Sequence, residues 1–367
     1  DIGAFEYNVS NTAPTITSVT GAPMVDEDAV YSLDLTFTDP NDSTVTWTVN
    51  WGDGQISSAL STGATTTLTH TYTQPGFTYN ILVSANDGDL TVFQNELLVP
   101  SYAAGDSIFR YEKTTGAFLQ EFATANGLDD PIQAIIGPDG YLYVTSEKSD
   151  QVLRYNAVNG AFIDEFVSAG SGGLNEPGGL AFGPDGNLYV SSFATDEVLR
   201  YDGTSGAFID AFVTAGSGGL NGPYGLTFGS DGNLYINSYL DSQVLRYKGT
   251  TGAFIDVFVS PGSGGLSTPE QMIFGPDRNL YIASYDTNEV LRYNGTTGAF
   301  IDAFVTAGLG GLNQTTGLAF GPDGNLYVAD HRDAIILRYN GTTGVFIDKY
   351  VSAGSGGLVK PVFISFL

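Results

Sequence analysis

Side chains able to do acid–base or metal chemistry are few in this sequence. The 367 residues include no cysteine and two histidines, His70 and His331. Thiolate nucleophiles, disulfides and zinc–thiolate sites are therefore excluded. His331 stands in Asp330-His331-Arg332-Asp333, where an imidazole beside a carboxylate has the makings of an acid/base pair. Glu147, followed by Lys148, is the other candidate acid. The candidate catalytic set is His331, Asp330 and Glu147, although the sequence favours ordinary loop variation at these positions. Oxygen ligands are more plentiful. Asp39, Asn41 and Asp42 end one strand-like run, and Asp87 and Asp89 follow another. If the loops after these two runs meet at one end of a two-sheet sandwich, they form a set suited to Ca2+, which takes six to eight oxygens. The alternative is a solvated acidic loop. No EF-hand loop is present, and no organic cofactor is expected.

These candidates depend on a scaffold that the sequence spells out by repetition. The turn typified by Gly183-Pro184-Asp185-Gly186 and its copies begin at Gly137, Gly183, Gly229, Gly275 and Gly321, in steps of 46. A Leu-Arg-Tyr module has its tyrosine at 111, 155, 201, 247, 293 and 339. One repeat reads as four strands: A at Gly178–Phe182, B at Asn187–Ser191, C at Val198–Tyr201 and D at Ala207–Val213. Four short strands in 40–50 residues make a propeller blade. The last residues, Pro361–Phe366, match strand A, whereas the region around Leu97–Ser101 begins at strand B. Joining the two ends completes a sixth, composite blade and removes two sheet edges. The predicted fold class is all-β: a β-sandwich followed by a six-bladed propeller. The expected divisions are a leader over 1–11, the sandwich over 12–93 and the propeller over 94–367.

Within a blade of four up-and-down strands, the D–A and B–C loops emerge on one face. The D–A loops are glycine-rich, as in Ala169-Gly170-Ser171-Gly172-Gly173. One B–C position is occupied by Glu147, Phe193, Tyr239, Tyr285 and His331, the candidate ligand-binding ring. The competing reading is that its aromatics plug the channel. The repeated arginines Arg110, Arg154, Arg200, Arg246, Arg292 and Arg338 on strand C, and Asp164, Asp210, Asp256, Asp302 and Asp348 on strand D, read as structural ion pairs. The glycine-rich turns lack the Lys and the helix of a phosphate loop.

The formal charge is −27, from 40 acids and 13 bases, with no Lys or Arg before Arg110. Such a chain is repelled by phosphate backbones and anionic lipid, so nucleic-acid partners are not expected. No apolar run of 18 residues is present to span a membrane. A start at Asp1 without Met reads as a processed piece of a longer precursor.

Resemblances sharpen this picture. Trp47-Thr-Val-Asn-Trp51-Gly52-Asp53-Gly54, His70-Thr-Tyr72 and Ala85-Asn86-Asp87-Gly88 together resemble the PKD domain family. That likeness implies an immunoglobulin-like spacer or adhesive module on extracellular proteins, with His70 packed inside. The propeller repeats resemble NHL repeats, through Pro-x-Gly-Leu-x-Phe-Gly-Pro-Asp-Gly-Asn-Leu-Tyr-Val, although the family's Ala-Asp after strand B survives only as Ala329-Asp330. Asp1–Tyr7 looks like the closing segment of a bacterial surface β-helix. The expected function is a non-catalytic binding, adhesion or matrix protein, extracellular or at the cell surface of a bacterium, recognising a glycan or protein through the ring face. One alternative is a propeller lyase or lactonase-like hydrolase with a metal at the channel mouth. Another is a self-associating subunit of a fibre or surface layer.

Overall fold

The computed structural model describes residues 15–21, 30–38, 44–51, 55–62, 65–71, 82–86, 91–93, 96–102, 106–124, 127–157 and 159–366. The chain divides between Asn95 and Glu96 into two units.

The first unit is two antiparallel sheets. Thr15–Gly21, Val30–Thr38 and Thr65–Thr71 make one; Ile56–Ser61, Val45–Asn50, Leu82–Asn86 and Thr91–Phe93 make the other. Alternation decides which side chains face inward. Leu33, Leu35 and Phe37 from one sheet and Val45, Trp47 and Val49 from the other are buried, as period-2 patterning requires. Trp51 is also buried and stacks on His70 at 5.0 Å with an 11° interplanar angle.

The second unit is six four-stranded antiparallel sheets. In the blade from Pro177 the strands are Pro177–Phe182, Leu188–Ser192, Glu197–Tyr201 and Phe208–Val213, in that spatial order. The sixth blade takes Glu96–Ser101, Ser107–Glu112 and Phe118–Thr124 from the start of the unit and Ser365–Phe366 from its end. Ser365 pairs with Leu98 and Phe366 with Leu97, and the Val362 amide donates to the Pro100 carbonyl at 3.2 Å.

Neighbouring blades are fastened by recurring contacts. The hydroxyls of five of the repeated strand-C tyrosines donate to the preceding D–A loop, Tyr201 to the Ser171 carbonyl at 2.8 Å and Tyr247 to Ser217 at 2.7 Å among them. Across the closing seam the same bond runs from Tyr111 to Ser355 at 2.8 Å. Each C–D hairpin glycine lies beneath the preceding blade's outer strand. At Gly206 (φ 70°) an added Cβ would sit 1.7 Å from the Phe166 carbonyl oxygen.

The expected arginine–aspartate pairs form in five blades. Arg200 binds Asp210 with two hydrogen bonds, at 3.1 and 2.6 Å, and its guanidinium lies 5.0 Å from the Phe212 ring centroid. Asp185 of the turn joins them: it accepts from the Tyr189 hydroxyl at 2.9 Å and lies 3.6 Å from Arg200. The turns therefore also anchor the blade's outer half. The sixth blade departs from this pattern. Gln120 stands opposite Arg110, and the arginine pairs with Glu96 in a buried contact instead.

Gly206→Ala and Gly170→Ala separate steric contact from backbone strain. Gly170 has nearly the same φ, 68°, but nothing lies within 4 Å of its added Cβ. We expect Gly170→Ala to cost about 1 kcal/mol and Gly206→Ala at least about twice that. Thermal unfolding followed by circular dichroism checks this; equal losses would contradict the contact.

Candidate functional site

The B–C ring is set by one backbone bond repeated in all six blades. The amide of each ring residue donates to the carbonyl of the residue just before strand A. Glu147 binds Asp130 at 3.1 Å, Phe193 binds Glu176 at 3.1 Å, and Tyr239 binds Gly222 at 3.0 Å. Tyr285 binds Thr268 at 3.3 Å, His331 binds Gln314 at 3.0 Å, and Tyr102 binds Lys360 at 3.2 Å. The accepting residues all have positive φ, from 42° at Lys360 to 61° at Gly222. This conformation disfavours residues with a Cβ, and it recurs wherever the loop must turn into strand A. Side chains of one B–C loop hold the next blade's turn: Asp150 accepts from the Glu176 amide at 2.8 Å, and Asp196 from Gly222 at 2.6 Å.

The ring encloses a cavity of about 250 Å³. All five ring residues chosen from the sequence line it: Glu147, Phe193, Tyr239, Tyr285 and His331. Tyr102 supplies the sixth ring position. Glu176 stands at the rim, and Tyr224, Glu270, Thr316 and Val362 of strand A form the deeper wall. The aromatic rings meet edge to face or tilted. Phe193 meets Tyr239 at 5.9 Å, Tyr224 meets Phe193 and Tyr239 at 5.9 and 5.7 Å, and His331 meets Tyr285 and Tyr102 at 6.2 and 6.1 Å. Below them Tyr224 packs on Phe363 at 5.4 Å, where the last strand enters the axis.

Electrostatics in the cavity are one-sided. Three carboxyl groups line it, and no lysine or arginine does. Glu147 is tied to Lys148 at 2.8 Å. Glu270 is 6 % exposed, and among the described residues no hydrogen bond or ion pair reaches its carboxyl group. Burial, followed by the charges of Glu147 and Asp286, pushes the Glu270 carboxyl well above its ordinary range. Burial also raises the Tyr102 hydroxyl to about 12, reinforced by Glu147 and Asp130. It lowers the His331 imidazole below its ordinary value, which favours the neutral ring.

Asp330 and His331 are not brought together as an acid/base pair. Asp330 is fully buried, and its carboxylate accepts the amides of Asn313 at 2.8 Å and Asp333 at 3.0 Å. Serines fill this place in the other blades; Ser192, for example, accepts the Asn175 amide at 3.0 Å. Asp330 is thus a loop anchor, and it does not line the cavity. His331 Nδ1 instead faces the Pro361 carbonyl at 3.4 Å. The calcium candidates Asp39, Asn41, Asp42, Asp87 and Asp89 lie outside the described residues. A different acidic group, Asp106, Asp129 and Asp130, brings its carboxylates within 4.8 Å of one another near the propeller seam.

Reading only the B–C ring missed the deeper wall, which carries its own signal. The second residue of strand A recurs as Ile132, Gly178, Tyr224, Glu270, Thr316 and Val362. It changes in every blade, and Glu270 is its only charged member.

Comparison with known proteins bears on each unit. Residues 11–95 match the PKD domain family. This is the first unit's family. Its PKD assignment agrees with the two-sheet arrangement and the buried Trp47. No curated protein matches the chain. Among solved structures, a Bacteroides caccae protein of unknown function is similar at 14% identity and TM-score 0.55, covering 74% of this chain and 98% of its own. The Staphylococcus aureus virginiamycin B lyase structure with quinupristin is 14% identical, with TM-score 0.47, covering 85% of this chain and 95% of its own. An auxiliary nutrient binding protein from Bacteroides ovatus has 14% identity and TM-score 0.47, with coverages of 86% and 95%. Identities this low speak for the fold alone. Among the described residues no helix is long and apolar enough to cross a membrane.

The Asp330 anchor has a pH consequence. Desolvation raises its carboxyl to about 6, above the ordinary value near 4 of an unfolded chain. A group raised on folding stabilises fully below the unfolded value, and that contribution is lost as pH rises through about 6. Asp330→Ser restores the residue of the five other blades. It should raise the propeller's melting temperature at pH 7.5 by a few degrees, for roughly 1–3 kcal/mol. The gain should shrink toward pH 4. Melting curves across that range check it, and a gain independent of pH would contradict it.

Proposed function

We propose that the propeller cavity binds the terminal residue of a glycan, and that the protein is a non-catalytic binding or adhesion protein working outside the cell. The observation carrying this reading is the cavity wall, in which Tyr102, Phe193, Tyr224, Tyr239 and Tyr285 surround a space of about 250 Å³. Pockets for drug-sized ligands run to roughly 300–1,000 Å³, so this one suits a single compact moiety such as one sugar ring. Aromatic faces stack on the apolar faces of sugars, and tyrosine hydroxyls and carboxyl groups hydrogen-bond their rims. The PKD domain suits an extracellular spacer that carries the propeller.

A second reading, a lyase or lactonase-like hydrolase, draws on one observation. His331 and Glu270 line the same cavity, and burial favours the neutral form of each. A neutral imidazole can accept a proton and a protonated carboxyl can donate one. Turnover of a lactone by the wild type, abolished in His331→Ala, would support it.

Glycan-array and calorimetric binding test the first reading. Tyr239→Ala and Tyr285→Ala should each weaken binding roughly tenfold, from the loss of one stacking face. Asp202→Ala, at an exposed outer turn, should leave it unchanged. Binding indifferent to both tyrosines would remove the cavity as the site.

A further inference from the structure

The cavity's carboxyl groups and rings favour one kind of charge. Glu270 projects from strand A into the deep wall, 94 % removed from solvent, and meets no donor or cation among the described residues. Its carboxyl group opens on the cavity, so a ligand entering there can reach it. Two nearby polar side chains of strand A are bonded. On the same strand position Thr316 donates to the Pro361 carbonyl at 2.9 Å, and one residue further on Gln271 accepts the Leu318 amide at 2.7 Å. Glu270 is the exception in the part of the channel open to a ligand.

Its neighbours would reward a cation. Tyr224, Tyr239 and Tyr285 line the same cavity, and Glu147 adds a second carboxyl to its wall. Aromatic rings combined with an acid are the usual receptor for an ammonium group. Two lysines stand near the mouth: Lys148 is 45 % exposed and bound to Glu147, and the Lys360 ammonium lies 5.9 Å from the Tyr102 ring; neither pairs with Glu270. An anionic ligand would have to enter against three carboxyl groups with no lysine or arginine on the wall.

We propose that the cavity receives an ammonium group, carried by an amine-bearing sugar, with Glu270 as its counter-ion and Tyr224, Tyr239 and Tyr285 as its cation–π walls. This deepens the glycan reading and rests on it for the sugar. The ammonium itself rests on Glu270 and the rings.

Calorimetry of the whole chain with three probes tests the two separately: the glucosamine trimer, its fully N-acetylated form, and butylammonium chloride. The amine trimer should bind at least about tenfold more tightly than the N-acetylated one. Glu270→Gln, which keeps shape and removes charge, should bring the two within about threefold. The wild-type comparison poses the same question should that variant fail to fold. Butylammonium binding without either trimer would keep the ammonium and discard the glycan. Equal binding of the two trimers, unchanged in Glu270→Gln, would overturn the ammonium and leave the glycan reading standing. Binding of none of the three would overturn both.

Discussion

Pairing of the chain's last strand with the first strands of the propeller is the constraint on which the rest depends. Ser365 and Phe366 complete the sheet begun by Leu97 and Leu98, and only then is the row of blades a ring. The join is reinforced outward from the axis. Ser101 and Val359 exchange hydrogen bonds through the serine hydroxyl, at 2.6 and 3.2 Å. Tyr350 donates to the Glu112 carbonyl at 2.6 Å, and Tyr111 to Ser355. The cavity inherits this dependence directly. Tyr102 comes from one end of the propeller and Val362 from the other, and both line it. A site assembled from both termini exists only when the ring is shut.

Ring closure also explains which positions are free to vary. The residues that fasten one blade to the next must recur, because each blade presents the same surface to its neighbour. The Leu-Arg-Tyr tyrosines, the hairpin glycines and the serines around position 192 are of this kind. Six near-identical sockets then hold six backbone amides in place, and the side chains on them are constrained by nothing except what fills the axis. The B–C ring and the second residue of strand A both sit on such sockets. Their variety, Glu, Phe, Tyr and His in one and Ile, Gly, Tyr, Glu, Thr and Val in the other, is structural only in part: Thr316 bonds the Pro361 carbonyl, and Gly178 makes room for the Tyr224 ring.

Much of this was legible in the sequence, and for a physical reason. A 46-residue period fixes blade number, strand order and face without side-chain detail, so the ring position could be named in advance. The composite blade followed from counting strands at the two ends. Less legible were features that need distance across the axis. Tyr224 and Glu270 lie on strand A, whose neighbours across the channel are 46 or more residues away, and reading one loop face passed over them. Asp330 misled because adjacency to His331 along the chain suggested partnership. In a strand, successive side chains point to opposite faces, and Asp330 took the serine's place at the loop anchor while His331 turned to the cavity. In the PKD domain, Ile56–Ser61 and Thr15–Gly21 passed unnoticed because serines and threonines dilute their apolar alternation.

The treatment of charge separates scaffold from site. On the outer rim the strand-C arginine of each of five blades finds two carboxylates and an aromatic face. Such pairs lie partly in solvent, where each contributes roughly 0.2–1 kcal/mol, and their value lies in fixing the hairpin geometry that neighbouring blades share. The sixth blade lacks the aspartate, and Arg110 is compensated by Glu96 within the same sheet. The fold thus replaces a missing partner when a buried charge requires one. Glu270 received no such replacement, although Thr316 and Gln271 beside it are bonded to backbone. A carboxyl group that faces the cavity with neither a base nor a hydrogen bond among the described residues is where a cationic ligand would find its counter-ion.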